Sequence, residues 1–300
     1  MNVLDKSVLS SDGSHLLRGK VYLPEGEVKG YFHIVHGMTE HIGRYDRLMS
    51  EMAEKGYIAF GYDHLGHGAT AGEGELGFIA SSDGWKYLCL DVERFACDVI
   101  GEYGDMPYYL MGHSMGSFIV RLAVTMGAKP TKLIVMGTGG KNPAADIGLK
   151  IIGFIKKLFG EKHISKLVEN IAFGSYNKRF PGEDEKAWLT NDMLVREKYM
   201  ADPYCNYKFT VSAMEDLVTL NRNSNLDETF KKTSHDMPIL LVSGSEDPVG
   251  DYGEGVKQVY ESYKRAECDV KLHLYNEYRH EILNDKSYEK VVYDIVDFIG

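Results

Sequence analysis

The chain has 300 residues, a formal net charge of -10, a hydrophobic fraction of 44% and a charged fraction of 26%. This size and balance predict a globular protein with one large α/β domain and an insertion, or with two small domains. Because an acidic chain without a local cluster of lysine and arginine is repelled by nucleic-acid phosphates, nucleic acid is excluded as an expected partner.

Strand-like and helical segments alternate through the first part of the chain. Strands are predicted over residues 3–9, 15–23, 30–37, 57–63, 107–112 and 131–137, and helices over residues 44–55, 85–103 and 115–127. The first two strands are predicted to form an antiparallel pair. The alternation that follows is typical of a mostly parallel, twisted sheet with helices on both faces.

The alternation stops between residues 141 and 235, where the sequence has no convincing strand. Helical pieces are predicted there over residues 146–159, 162–173, 184–197 and 208–222. The pattern then resumes with strands over 237–247 and 269–275 and helices over 251–265 and 286–299. We therefore predict an α/β core, residues 1–140 and 236–300, and a helical cap, residues 141–235. The cap is inserted between a strand that ends near 137 and one that starts near 238, over the edge where such sheets bind ligands.

The stretch Gly112-His113-Ser114-Met115-Gly116 places a serine between a predicted strand and a predicted helix. This is the context of a nucleophile elbow, in which a sharp turn lifts the serine hydroxyl clear of the sheet. The turn forces the serine into an unfavourable backbone conformation, and the two glycines remove clashes with neighbouring segments. Ser114 is therefore the predicted nucleophile. The alternative is a capping serine in a glycine-flanked turn.

A serine nucleophile needs a base to remove its proton and an acid to orient that base. After an elbow of this kind they follow in the chain order Ser, Asp or Glu, His. Asp247 stands at the carboxyl end of the strand predicted over 237–247, with Glu246 beside it as a rival acid. His280 lies in the loop between the last predicted strand and the last helix, and it is the predicted base.

Two backbone N–H groups are expected to bind the oxyanion that forms when the serine attacks a carbonyl. One belongs to Met115, directly after the nucleophile, and the other to Met38, in the loop after the strand 30–37. His113 is expected to pack under the turn. Glu40 and His41 are expected to shape the loop at the mouth of the site.

Four segments together resemble the α/β-hydrolase fold: HGMTEHIGRYDRLMSEMAEKGYIAFGYDHLGHGAT (36–70), GHSMG (112–116), GSEDPV (244–249) and YRHEILND (278–285). More narrowly they resemble the monoglyceride lipase and lysophospholipase group, which is often catalogued with serine aminopeptidases. The resemblance covers nearly all of the sheet-forming part. It implies Ser114, Asp247 and His280 as a catalytic triad, with Met38 and Met115 as oxyanion donors. The cap matches nothing closely enough to name a substrate.

The cap segment 146–173 carries isoleucine, leucine and phenylalanine at helical spacing, with lysines interleaved. One interpretation is an amphipathic helix packed on the sheet edge. Another is an apolar wall of an acyl tunnel, or a surface that transiently contacts a membrane or micelle. Both can hold. The predicted substrate-binding residues are Phe154, Ile155, Phe209, Met214 and Leu217.

Neither the cysteines nor the histidines follow the spacing of a metal site, so no metal and no other cofactor is predicted. His33 and His36 point to opposite faces of a strand, and His64 and His67 lie in a loop without a completing ligand set. The cysteines are expected to be reduced thiols, at positions Cys89, Cys97, Cys205 and Cys268. The N-terminal stretch has no basic segment followed by an apolar one, so we predict no signal peptide and a cytoplasmic location.

These residues predict a serine carboxylic-ester hydrolase that acts on monoacylglycerol- or lysophospholipid-like esters through an acyl-enzyme. The same triad could serve a short-chain esterase, or an aminopeptidase or amidase with a cap carboxylate that holds a free amine. Four carboxylates are available for that role: Glu169, Glu183, Asp184 and Glu185. A non-catalytic binding protein on a hydrolase scaffold is a further alternative. The expected partner is a small-molecule ester, and the sequence predicts no oligomeric state.

Overall fold

A computed structural model describes residues 2–286 and 288–300, so residue 287 of the helix predicted over 286–299 lies outside the described residues. The described residues form one sheet of eight strands in the order β1-β2-β4-β3-β5-β6-β7-β8. The strands are β1 Asn2–Leu9, β2 Leu16–Leu23, β3 Gly30–Val35, β4 Tyr57–Tyr62, β5 Tyr108–His113, β6 Lys132–Met136, β7 Ile239–Gly244 and β8 Val270–Tyr275. β1 pairs with β2, and β2 with β4, in antiparallel orientation. All the other neighbouring strands of the sheet pair in parallel, from β4 and β3 through to β8.

Helices cover both faces of this sheet. They are α1 Asp46–Glu54, α2 Gly84–Tyr103, α3 Met115–Met126, α4 Ala145–Phe159, α5 Lys166–Phe173, α6 Met193–Ala201, α7 Val211–Ser224, α8 Asp227–Lys232, α9 Glu254–Arg265 and α10 Tyr288–Ile299. One hydrophobic core lies under α1 and α10, and the other under α2, α3 and α9. Every residue of β3, β4, β5 and β7 is buried, as expected for parallel strands covered on both sides.

The parallel register brings the carboxyl ends of the central strands to one edge. β5 ends at His113, β7 at Gly244 and β8 at Tyr275. The segments after these strands contain Ser114, Asp247 and His280, so residues far apart in the chain meet above the sheet.

The segment between β6 and β7 contains α4 to α8 and no strand among its described residues. We call residues 141–235 the cap segment, and its division from the core stays a prediction. The helix predicted over 184–197 is wrong in its first nine residues, because residues 184–190 form turns held by Asn177, which bonds Asp184 O at 2.7 Å and the Trp188 N–H at 3.0 Å. α6 begins only at Met193, where the Asp192 carboxylate accepts from the first free N–H groups of the helix.

Candidate active site

Ser114 lies at the sharp turn between β5 and α3. Its backbone has φ 56° and ψ -120°, a conformation that non-glycine residues adopt only when the surrounding structure holds them there. The Ser114 N–H donates to Met136 O at 3.0 Å, which ties the turn to β6. A Cβ on Gly116 would lie 2.1 Å from Val35 O, and one on Gly112 would lie 2.3 Å from Gly116 O. The two glycines therefore allow the close packing that holds the serine in place.

His280 links Ser114 to Asp247. Its Nε2 lies 2.8 Å from Ser114 Oγ, and its Nδ1 lies 2.8 Å from Asp247 Oδ2. Asp247 is completely buried and His280 is 2% exposed. The other Asp247 oxygen accepts from the Val249 N–H at 2.8 Å, which fixes the carboxylate plane. The geometry thus selects Asp247, rather than Glu246, as the partner of the imidazole.

The two predicted oxyanion donors border the same cavity as Ser114. Met115 is the first residue of α3, so its N–H has no acceptor within the helix. The loop that contains Met38 passes directly against the nucleophile, since a Cβ on Gly37 would lie 3.0 Å from Ser114 Cβ. The arrangement leaves room for a carbonyl oxygen between two chain segments, and the donor role of both N–H groups stays a prediction.

A buried ion network lies behind these loops. Arg44 bonds Glu40 Oε2 at 2.7 Å and grips the Glu281 carboxylate with two bonds of 2.6 and 2.7 Å. Glu40 in turn accepts from the Gly37 N–H at 2.5 Å. Although burial opposes ionisation, the neighbouring His113 and Arg44 hold the pKa of Glu40 well below its usual range. Arg44 therefore joins the loop that contains Met38 to the loop that contains His280.

Sequence reasoning assigned Glu40 only to loop shaping and did not find Arg44 or Glu281. One signal was available in the sequence: the Glu281 carboxylate comes directly after the predicted base, His280. A carboxylate is buried in a loop only when a cation pairs with it, so a partner cation could have been sought. An arginine follows Glu40 by four residues, close enough to pair with it.

His113 packs beneath the elbow. Its Nδ1 lies 2.9 Å from the Tyr45 hydroxyl and 3.4 Å from Glu40 Oε1, and its ring centroid lies 4.8 Å from that of His280. Burial disfavours the charged imidazole, but the contact with the Glu40 carboxylate outweighs it and raises the pKa of His113. His113 thus supports the His280 ring from below and does not contact the serine hydroxyl.

Residues 183–202, here called the cap strap, are bonded to the segment around His280. The His280 N–H donates to Trp188 O at 3.3 Å, and the Glu281 N–H donates to Leu189 O at 2.7 Å. Arg279 grips Glu183 with bonds of 2.9 and 2.7 Å. The Trp188 ring centroid lies 5.1 Å from the His280 ring centroid. One part of the cap segment is thus built into the wall of the site.

A cavity of about 980 Å³ opens over Ser114 and extends beneath the cap segment. Of the five predicted substrate-binding residues, Phe209, Met214 and Leu217 line it. Phe154 and Ile155 lie outside it, so the structure does not place these two where the prediction expected them. Phe154 is 63% exposed on the outer face of α4, and Ile155 packs into the core, while other residues of α4 border the cavity. These are Ala145, Gly148, Ile151 and Ile152.

Three buried histidines pack behind the loop that contains Met38. The His36 and His64 ring centroids lie 4.2 Å apart, and His67 lies 5.3 Å from His36. Burial lowers the pKa of His36 to about 3 and that of His67 to about 4, so both are neutral near pH 7. The His64 N–H donates to His36 Nε2 at 3.1 Å. These rings act as packing and hydrogen-bonding groups of the loop.

No helix among the described residues is both long enough and apolar enough to cross a membrane.

Comparisons with known proteins show the family of this chain. A family model described as serine aminopeptidase, S33, matches residues 26–287. The monoglyceride lipase of Rattus norvegicus is 25% identical over 270 residues, which cover 89% of this chain and 80% of the relative. The monoacylglycerol lipase of Mycolicibacterium smegmatis is 25% identical over 292 residues, which cover 93% of this chain and 91% of the relative.

Among solved structures, a highly thermostable carboxyl esterase from Bacillus coagulans in complex with glycerol superposes with a TM-score of 0.93 and 28% identity. That match covers 100% of this chain and 98% of the esterase. The matches confirm the predicted α/β-hydrolase fold and the predicted enzyme class, a hydrolase of the esterase and lipase type. Matched over residues 26–287, the chain belongs to the serine aminopeptidase S33 family of α/β-hydrolases.

Proposed function

We propose that this chain is a serine carboxylic-ester hydrolase that acts on monoacylglycerol- or lysophospholipid-like esters through an acyl-enzyme intermediate. The observation that carries the proposal is the hydrogen-bonded row of Ser114, His280 and Asp247 at the wall of a cavity of about 980 Å³. This is the geometry in which a serine hydroxyl becomes a nucleophile at neutral pH.

In the first half of the reaction, Ser114 Oγ attacks the ester carbonyl carbon while His280 Nε2 takes the hydroxyl proton. The buried Asp247 carboxylate stabilises the imidazolium that forms and holds its Nδ1–H. The N–H groups of Met38 and Met115 donate to the oxyanion of the tetrahedral intermediate. The bond to the leaving alcohol then breaks, and His280 returns the proton to the alcohol oxygen.

In the second half, a water molecule takes the place of the alcohol. It gives a proton to His280 Nε2 as its oxygen attacks the acyl carbon, and the same N–H groups bind the new oxyanion. When the intermediate collapses, the fatty acid leaves and Ser114 Oγ regains its proton. No cofactor takes part in these steps.

The cavity supports an acyl chain as the bound group. Its volume lies at the upper end of the range for small-molecule sites, about 300–1,000 Å³. Apolar side chains of α4, α5, α7 and the residues just before α7 form much of its wall, among them Ile152, Val168, Phe209, Met214 and Leu217. Polar side chains that could bind a glycerol-like head group border it as well, including Asn142, Asn170 and Asn221. The relatives named above as monoglyceride and monoacylglycerol lipases agree with this substrate class.

An amidase or aminopeptidase is the second candidate. It would need a carboxylate free to hold a substrate amine. Glu183 is paired with Arg279 and Asp184 with Arg196, and Glu169 is paired with Lys208. Glu185 borders the cavity and is the best placed of the four for an amine. The apolar wall favours esters with a long acyl chain over amino-acid amides.

The outer faces of α4 and α5 support transient contact with a membrane or micelle that holds such substrates. Ile147, Phe154, Leu158 and Leu167 are each more than half exposed there, with lysines interleaved. Apolar side chains flanked by cations suit an interface with anionic lipid. A cytoplasmic location is also proposed, supported by four cysteines that form no disulfide.

The test is kcat/KM across soluble and micellar esters from acetyl to palmitoyl, beside the Ser114→Ala variant. We expect kcat/KM to rise with chain length and turnover to fall on the order of 10⁶-fold in Ser114→Ala. A fluorophosphonate probe should label the protein and the Ser117→Ala control but not Ser114→Ala. A maximum at acetyl or butyryl would make the chain a short-chain esterase, and faster cleavage of amino-acid amides would make it an amidase. Near-native activity of Ser114→Ala would overturn the mechanism.

A further inference from the structure

A second group of reactive side chains lies outside the triad, where the loop after β3 meets the chain after α6. His41, Asp202 and Cys205 each offer one ligand atom, and these three atoms lie within 4.8 Å of one another. His41 Nε2 is 3.0 Å from Asp202 Oδ2. Sequence spacing could not indicate this group, because His41 precedes the other two residues by about half of the chain.

The donor set matches the ligand preference of zinc. Zn²⁺ binds imidazole nitrogen, thiolate sulfur and carboxylate oxygen in proteins, usually as a tetrahedron. Calcium and magnesium favour sites made of oxygen alone, so a nitrogen and sulfur pair argues against them. Bonds of about 2.0–2.3 Å place tetrahedral ligand atoms about 3.3–3.8 Å apart. No pair of these atoms therefore has to approach by more than about 1.5 Å, and His41 Nε2 and Asp202 Oδ2, now 3.0 Å apart, have to separate slightly.

The turn after α6 already presents two of these ligands together. The Cys205 N–H donates to Asp202 O at 3.0 Å, and Asp202 Oδ1 accepts from the Tyr204 N–H at 2.8 Å. These bonds leave Asp202 Oδ2 directed at His41. The side chain of Cys205 is buried, whereas those of His41 and Asp202 are 20% and 29% exposed. A metal ion can therefore reach His41 and Asp202 from solvent, while the Cys205 thiol lies on the buried side of the group.

We propose that His41, Asp202 and Cys205 form a zinc-binding site with a fourth position open to water. On binding, the Zn–S bond forms as the Cys205 S–H bond breaks, and the thiol proton goes to solvent. His41 binds through its neutral Nε2 and carries its proton on Nδ1. No oxidation state changes. The site is distinct from the triad, and no step of the ester hydrolysis passes through it.

Occupancy would crosslink two parts of the molecule that already touch. The Tyr199 hydroxyl of α6 lies 3.0 Å from Thr39 O and 2.8 Å from Thr39 Oγ1, two residues before His41. An ion would add bonds between the same loop and the chain after α6. A ligand that binds only the folded chain stabilises it by mass action, so zinc should raise the Tm.

The experiment is a titration of the full, metal-free chain with Zn²⁺ alone, followed by calorimetry and thermal unfolding. We expect one ion per chain and a higher Tm. With Co²⁺ in place of Zn²⁺, a thiolate-to-metal absorption band should appear. Cys205→Ser should lose that band, and Cys205→Ser and His41→Gln should each lose more than about 100-fold in affinity, a greater loss than removal of an outer-shell partner causes. The exposed Cys97 provides the matched control, so Cys97→Ser should bind like the wild type.

Two results would overturn the site. One is the absence of saturable one-to-one binding at micromolar zinc. The other is binding by Cys205→Ser and His41→Gln with wild-type affinity and an unchanged cobalt band. Because His41 is partly exposed, its variant keeps the test valid even if replacement of the buried Cys205 disturbs folding. Esterase activity is not the readout, so this outcome is independent of the proposed function.

Discussion

The cap strap and the outer helices α4 and α5 belong to the same cap segment but differ in what they contact. The strap bonds the backbone of His280 and Glu281, pairs Glu183 with Arg279, and reaches Thr39 through Tyr199. The outer helices direct large apolar side chains to solvent, as at Phe154 and Leu158 of α4, which are 63% and 59% exposed. The cap strap is part of the cavity wall next to His280, whereas the outer faces of α4 and α5 are exposed to solvent.

This difference shows that a cap cannot be treated as one lid. The cap strap should resist local opening, because each hydrogen bond that it loses leaves a buried polar group on the other side without a partner. Regions held mainly by apolar contacts on one side can move at lower cost. Motion that admits substrate should therefore involve α4 and α5 more than the strap.

The largest effect on stability and activity is expected when the contact between Arg279 and the cap strap is removed. Arg279→Met removes two bonds to Glu183, one of 2.6 Å to Ala187 O, and the stacking of the guanidinium 4.0 Å over the Phe180 ring. We expect a loss of about 2–3 kcal/mol in unfolding free energy, since charged hydrogen bonds are lost. Displacement of the adjacent His280 should lower kcat/KM for a soluble ester on the order of 10²-fold.

Arg47→Met is the matched control for Arg279. Arg47 is also an arginine with two acidic partners, Glu51 and Glu289, but it is 61% exposed. Its loss should change the unfolding free energy by about 0.5 kcal/mol or less. If denaturant titration and steady-state kinetics gave the same values for the two variants, the strap would be packing that the site does not need.

A smaller, pH-dependent effect should come from Asp216, which attaches α7 to the start of α2. Its Oδ1 accepts from the Trp85 N–H at 3.0 Å, and its Oδ2 is buried without a partner among the described residues. Burial raises the pKa of Asp216 from 3.8 to about 7. Because the folded pKa is the higher one, the stabilisation is complete below about pH 4 and is lost as the pH rises towards 7.

Asp216→Asn should remove this dependence. Between pH 5 and pH 8 the wild type should lose about 2.5 kcal/mol of unfolding free energy that the variant keeps. The slope of stability against pH is the quantity to compare, since a constant cost of the amide does not alter it. Parallel curves for the two proteins, measured by denaturant titration across this range, would contradict the buried-carboxylate account.

The smallest effect on stability should come from Phe154 on the outer face of α4. Phe154→Asp should change the unfolding free energy by about 0.5 kcal/mol or less and leave kcat/KM for a soluble short ester unchanged. On micellar or vesicle-borne ester its rate should fall about fivefold, the result of about 1 kcal/mol of lost apolar burial at the interface. The control is Tyr293→Asp on α10, at an aromatic residue that is 69% exposed. Equal loss in both variants would remove the case for an interface at the cap.

The structure brings together Ser114, Asp247 and His280, which the sequence singled out at one edge of the sheet, because local chemistry constrains that edge. An elbow needs glycines where Gly112 and Gly116 stand, and the chain order of acid and base follows from the strand order. The helix predicted over 184–197 was wrong in its first nine residues because the side chain of Asn177 holds those turns, a tertiary contact that periodicity does not encode. Phe154 was predicted to bind substrate because the spacing of apolar residues along a helix does not show which face of that helix turns towards the cavity. Arg44 was missed because its partner Glu281 lies 237 residues away.

The bond from the His280 N–H to Trp188 O also bears on how members of this family could exchange substrate preferences. If the whole cap were an independent module, recombination could replace it without touching the chemistry. Here a chimaera cut at residues 141 and 235 would replace the segment whose carbonyl bonds the His280 backbone. Asn177 holds the turns around Trp188, so the unit that can be exchanged without disturbing that bond is shorter, from 141 to about 175. Residues 176–202 have to be inherited together with the loop that contains His280.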